Sequence, residues 1–187
     1  MNKWTLPAAL HIGAADFAIR ADFRVILGIF RVLNSEDYTE AEKWEIALRS
    51  FYVDAETLPD VEQAIQQMQI FFSGGMDSTE DDKKRPQLMD WEQDTDMLIP
   101  AVNKSAGYDV RGVPFLHWWT FLSYYMEIGE STFSTVVSIR RKMAYGEKLE
   151  QYEKDFVRDQ PNTVILRDAK RRAEDAEDRA ALAALGL

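Results

Sequence analysis

The stretch Asp22-Phe23-Arg24-Val25-Ile26-Leu27-Gly28-Ile29-Phe30-Arg31-Val32-Leu33-Asn34 decides how the rest of the chain is read. Asp22 has the side chain of an N-cap, able to accept a hydrogen bond from a free amide of the first turn. Phe23, Ile26, Leu27, Ile29, Phe30 and Leu33 then spread around the helical wheel. A helix apolar on nearly every side is expected at the centre of a domain. Asn34-Ser35 ends it.

Outward from this helix, the chain reads as a series of capped helices. Thr39-Glu40-Ala41-Glu42 is a capping box, and the helix it opens carries Trp44, Ala47, Leu48 and Phe51 on one face. From about Asp60, the residues Val61, Ala64, Ile65, Met68 and Phe72 fall at helical spacing, and Ser73-Gly74-Gly75 stops the run. That Gly pair lacks the spacing and the lysine of a phosphate-binding loop. Met76 to Gln87 is polar, charged and closed by Pro86, as a surface loop is. A fourth helix is expected from about Asp90 to Ala106, with Gly107 as its C-cap. A fifth is expected from Pro114 to Gly129, with proline in its first turn. Ser131 or Thr132 caps a sixth, through Val136, Val137 and Ile139 to Tyr145. Upstream, Leu10-His11-Ile12 and Phe17-Ala18-Ile19 flank Gly13-Ala14-Ala15-Asp16 as a small hairpin. At Glu147 the composition turns strongly charged and Ala-rich. The reading is therefore all-α: a compact multi-helix domain at 1–146 with a small N-terminal β-hairpin, and a helical C-terminal extension at 147–187. That extension, poor in large apolar residues, is expected to be dispensable for folding.

Composition narrows the function classes. Of 187 residues, 46% are hydrophobic and 12% aromatic, including five Trp, enough for a real core. No cysteine is present, so disulfides and thiolate metal sites are excluded. The net charge of −10 disfavours nucleic acid as a partner, because such binding depends on neutralising phosphates. No apolar run reaches the roughly 20 residues that span a bilayer, and the first residues do not read as a secretory signal, so the cytoplasm is the expected compartment.

Three constellations could carry a function. Asp90-Trp91-Glu92-Gln93-Asp94-Thr95-Asp96 puts two carboxylates one turn apart, a spacing that a divalent cation and a metal-dependent hydrolase could use. The competing account is simpler: Asp90 followed by Gln93 is an N-cap pattern, and acids in a first turn offset the helix dipole. No histidine or second acidic cluster completes a site, so neither a metal, a cofactor nor catalysis is expected. Leu116-His117-Trp118-Trp119-Thr120-Phe121 could be a stacking platform, but aromatics at helical spacing belong to cores, and His117 reads as a satisfied, partly buried histidine. Arg140-Arg141-Lys142 suits a helix C-terminus. In the tail, Leu166, Ala169, Ala173, Ala176, Ala180 and Ala183 recur in steps of three and four, the seam of a heptad repeat. Alanine permits close helix approach while burying little area. The segment is either a lone surface helix or one that docks on a partner.

Together, Ala21-Asp22-Phe23-Arg24 after a hairpin, Asp90-Trp91-Glu92-Gln93-Asp94, Leu116-His117-Trp118-Trp119-Thr120-Phe121 and Phe133-Ser134-Thr135-Val136-Val137-Ser138-Ile139-Arg140 resemble a family encoded in the tail-gene region of long-tailed phages and prophages of Gram-positive bacteria. The likeness covers most of residues 8–160 and leaves out the Ala-rich tail. It implies a tail assembly chaperone or its paired product, acting between tape-measure and tail-tube proteins and absent from the finished virion. It brings no catalytic residues. A structural virion protein, such as an adaptor or tail-completion component, is the principal rival, and a homo-oligomer remains open.

Overall fold

In the computed structural model, residues 4–76 and 85–167 are described. Among them the architecture is mostly helical with one small antiparallel hairpin, as expected. The chain divides into two compact units that do not follow chain order: Met1–Arg85 with Val102–Ile128, and Pro86–Ala101 with Gly129–Leu187.

The first unit begins with β1 (Ala9–Ile12) and β2 (Ala15–Ala18), paired with Leu10 opposite Phe17. Gly13 takes a positive φ of 63° in the tight turn, and its amide donates to Gln63 Oε1. Leu10 and Ile12 point into the core, while Ala9 and His11 face out, the alternation a half-buried strand requires. Beyond β2 the backbone runs on beside residues 51–53, with Ile19 bridged to Tyr52. α1 (Phe23–Asn34) is capped by Asp22 as expected, but only Phe23, Ile26 and Ile29 are buried. Arg24, Gly28 and Arg31 lie on an exposed side, so α1 is amphipathic and not enclosed all round. α2 (Glu40–Phe51) carries the Thr39–Glu42 box, and α3 (Val61–Phe72) is capped by Asp60. The buried face of α3 is Ala64, Met68 and Phe71; Val61, placed on that face by its spacing, is exposed.

α4 (Thr95–Ala106) gives its second half to this unit, and α5 (Trp118–Met126) completes it. Both Trp118 and Trp119 are buried. Their indole N–H groups donate to Phe72 O and Phe71 O, each at 2.9 Å, at the end of α3, where Phe71 O also accepts from Gly74 N at 3.1 Å. Phe23 stacks on Phe121 at 4.6 Å, and Trp118 on Phe121 at 5.6 Å. α5 starts at Trp118, four residues later than Pro114 suggests. The reason is backbone competition. Phe23 N donates to Leu116 O and Trp118 N to Ala21 O, so residues 116–118 are held extended against 21–23.

The second unit holds the first half of α4, α6 (Thr132–Ala144), α7 (Gln151–Asp159) and the single turn α8 (Pro161–Val164). Ser131 caps α6 through a box with Ser134, and Pro161 occupies the first position of α8. Here the structure departs from the boundary expected at Glu147. Residues 150–167 are built into this unit: Glu153, Val164 and Leu166 are buried, and Lys142 of α6 reaches both Glu153 carboxylate oxygens at 2.7 and 2.9 Å. Composition misplaced the boundary because a few well-placed side chains, not the average content, fix α7 and α8.

Two stability results follow. Arg140→Met should cost about 3–5 kcal/mol in denaturant unfolding, because it leaves the Asp94 carboxylate buried without its cation. A chain ending at Gln160 should melt well below one ending at Arg167. It discards buried Val164 and Leu166 and two carbonyls that Arg140 needs, each stranded buried donor costing about 1–3 kcal/mol. Equal melting temperatures for the two truncated chains would return residues 161–167 to the status of a dispensable extension.

Candidate functional site

The Asp90 cluster is the place where sequence most suggested chemistry, and its side chains are spent on structure. Asp90 Oδ1 accepts from Glu92 N and Gln93 N, at 2.9 and 2.6 Å, so Asp90 is the cap that its spacing with Gln93 indicated. The turn it caps covers residues 91–94, and α4 proper begins at Thr95, later than the expected start near Asp90. Asp94 is fully buried. Its Oδ2 accepts from Asp90 N at 3.0 Å and from Arg140 Nη1 at 2.6 Å, and its Oδ1 accepts from Arg140 Nη2 at 2.8 Å. Asp96 lies on an exposed side of α4. Three acids that looked like one cluster therefore face three environments. Among the described residues, no three His, Asp or Glu side chains converge so as to hold a metal ion.

Arg140 is the residue that spacing arguments missed. Its guanidinium uses all five N–H donors. Besides the two bonds to Asp94, Nε donates to Val164 O at 2.7 Å, Nη1 to Leu88 O at 3.0 Å and Nη2 to Thr163 O at 2.8 Å. Reading Arg140-Arg141-Lys142 as a cationic helix end fits exposed Arg141, but not Arg140, which is 6% exposed. A signal was available. Arg140 follows Phe133 and Val136 by seven and four residues, on the buried face of α6, just as Asp94 precedes Leu98 by four on α4.

Gln93 completes the arrangement. Its Nε2 donates to Asn162 O and Ile165 O at 3.1 and 2.9 Å, and its Oε1 accepts from Arg167 N at 2.9 Å. Thus Gln93 and Arg140 together grip the backbone from residue 162 to residue 167. Nearby, the Lys142 ammonium and then the Glu150 amide hold the Glu153 carboxyl below the usual carboxylate range.

The second constellation, Leu116 to Phe121, is core and not a platform. His117 caps α5: Nδ1 accepts from Trp119 N at 3.0 Å, and Nε2 donates to Pro7 O at 3.1 Å. Two arginines to which the sequence reading gave no role act similarly. Arg20 Nη1 donates to Arg49 O and Tyr52 O at the end of α2, and Arg24 Nη2 donates to Val113 O at 2.6 Å. Of the third constellation, Leu166 is 7% exposed and belongs to the interior of the second unit. Ala169, Ala173, Ala176, Ala180 and Ala183 lie outside the described residues.

Among the described residues, every buried side-chain nitrogen and oxygen has a hydrogen-bond partner, and no helix is long and apolar enough to cross a membrane. Asp90, Gln93, Asp94, His117 and Arg140 make caps, an ion pair and backbone clamps.

The family model described as Bacteriophage Gp15 protein matches residues 3–165. No curated protein and no solved structure matches the chain. The matched span takes in the hairpin, the Asp90–Asp94 turn, the His117-capped helix and the grip on residues 162–165. The chain is a member of the Bacteriophage Gp15 protein family.

Proposed function

We propose that this phage protein acts by binding and not by catalysis, as a tail assembly chaperone that engages the tape-measure protein, the tail-tube subunits or both. The observation that carries this reading is the use made of the most distinctive polar residues. Gln93, Asp94 and His117 bond through every polar atom of their side chains to backbone amides, backbone carbonyls or Arg140, and Asp90 spends Oδ1 on the amides of Glu92 and Gln93. A general base needs a lone pair free to meet substrate, and a metal ligand needs an open carboxylate. Asp94, the acid one turn from Asp90, has both oxygens occupied, which argues against the hydrolase reading built on Asp90, Asp94 and Asp96.

Membership of a bacteriophage family supports a role in the phage cycle, and the tail-region resemblance narrows it to tail building. The segment for contact is the seam at Leu166, Ala169, Ala173, Ala176, Ala180 and Ala183, which begins just past the family match at residue 165. Since Leu166 is already buried, docking falls to the alanines from Ala169 onward. Small side chains at heptad spacing suit a helix approaching another helix closely, and tape-measure chains are expected to be helical. On this reading the protein works in the cytoplasm of the infected cell and is absent from the mature virion. The rival, an adaptor or tail-completion component, would stay in the particle.

Co-expression with the phage's tape-measure and tail-tube proteins, followed by affinity capture, tests the proposal, alongside blotting of purified virions. The full chain should co-purify with tape-measure or tube protein and be missing from virions. Ala173→Glu with Ala176→Glu should abolish capture without changing the melting temperature, since a charge forced into a close helix contact costs several kcal/mol. Stoichiometric protein in virions, with no capture of either partner, would establish the structural rival instead.

A further inference from the structure

His117 is buried, and both its ring nitrogens face backbone groups whose roles are fixed. Trp119 N can only donate, so Nδ1 must carry a lone pair. Pro7 O can only accept, so Nε2 must carry the proton. The two contacts together specify one species, the neutral Nε2–H imidazole. Adding a proton at Nδ1 turns an acceptor into a donor aimed at another donor. It also places a cation at the N-terminus of α5, where the helix dipole is positive. The ring lies edge-on to Phe71 and Trp119, at 5.6 and 6.2 Å, so water has little access to solvate the charge.

Among the described residues, the charged groups on the elements around His117 are already engaged or lie at a distance. The segment leading into β1 meets the ring through the Pro7 carbonyl. The segment before α1 supplies Asp22, whose carboxylate already accepts from Leu116 N and Arg24 N and pairs with the Arg24 guanidinium at 3.0 Å. α3 faces the ring with Phe71, and its one charged residue, Glu62, sits at the far end of the helix. α5 carries no charged side chain.

We propose that His117 is a proton-sensitive latch: α5 stays docked on the end of α3 only while this imidazole is neutral, and acidification through pH 6.5 to 5 unseats the first turn of α5 with Trp118 and Trp119. The sign follows from linkage. Burial pushes the His117 pKa below its ordinary value, outweighing the Pro7 carbonyl. The unfolded chain therefore binds the proton more readily than the folded one. The stabilising contribution is complete above the unfolded value of about 6.5 and is lost as pH falls below it. Three carboxylates are held below their ordinary values. The Arg111 guanidinium holds Asp109 down, the Thr39 amide holds Glu42 down, and the Lys142 ammonium holds Glu153 down. The chain has two histidines, and the other, His11, is exposed beside Asp16 at 2.8 Å.

The test uses the full chain, with tryptophan fluorescence, exchange of the indole Nε1 protons and imidazole NMR shifts followed from pH 7.5 to 5. In the wild type, His117 should keep the Nε2–H tautomer at neutral pH. Indole exchange should accelerate at least tenfold toward pH 5 beyond the intrinsic pH dependence of exchange. His11→Ala should leave that profile unchanged. His117→Asn, whose side-chain oxygen can still cap α5 but cannot titrate, should flatten it. If His117→Asn does not fold, the wild-type imidazole signals alone decide. A His117 that titrates near pH 6.5 with no change in indole exchange or Trp119 amide protection overturns the proposal. So does a pH profile that disappears with His11→Ala.

Discussion

A guanidinium buried with every donor occupied is the constraint on which the second unit of this protein depends. Desolvating a charge costs several kcal/mol, and the cost is recovered only when the partner is close and every remaining N–H is bonded. Arg140 meets both conditions. It forks onto Asp94 and sends its three other N–H groups to the carbonyls of Leu88, Thr163 and Val164. Those acceptors lie in two separate stretches of chain, so one side chain of α6 fixes both the approach to α4 and the turn α8. Gln93 repeats the strategy with a neutral amide, gripping the backbone at Asn162, Ile165 and Arg167. The sequence motif Asp-Trp-Glu-Gln-Asp is thus a structural device, in which a cap, a clamp and a counter-ion follow one another within five residues.

The first unit is organised by the same economy with different groups. Helix ends leave carbonyls and amides without helical partners, and here side chains from elsewhere satisfy them. The two indole N–H groups of α5 close the end of α3, Arg20 closes the end of α2, and His117 closes the start of α5. Aromatic stacking between Phe23, Phe121 and Trp118 fills the space between these closures. Polar termini and apolar core are thereby solved by the same residues, which explains why the aromatic run at 116–121 is both buried and hydrogen-bonded.

Much of this was legible in the sequence where the governing interaction is local. Asp22, Thr39 with Glu42, Asp90 and the pair Ser131 or Thr132 read as caps because a cap involves residues two or three apart, and Asp22, Thr39, Asp90 and Ser131 cap in the structure. The hairpin was legible from Gly13 and its apolar flanks. What escaped was non-local. The start of α5 depends on pairing between residues 21–23 and 116–118, which no window of periodicity contains. The burial of Arg140 depends on an aspartate 46 residues away. Glu147 looked like a boundary because alanine and charge rise there, yet Glu153, Val164 and Leu166 are interior residues. The acidic cluster was correctly assigned to capping at Asp90, but the buried role of Asp94 was invisible without its partner.

A double-mutant cycle between Asp94 and Arg140 tests the central claim most directly. Unfolding free energies would be compared for the wild type, Asp94→Leu, Arg140→Met and the double variant. If the motif is a buried ion-pair clamp, each single change strands a charge, while the double change removes both. The two sites should then couple by about 2–3 kcal/mol, with the double variant far more stable than the sum of the single losses implies. Losses that add within about 0.5 kcal/mol would mean that the two residues act independently, and the account of this unit would fall.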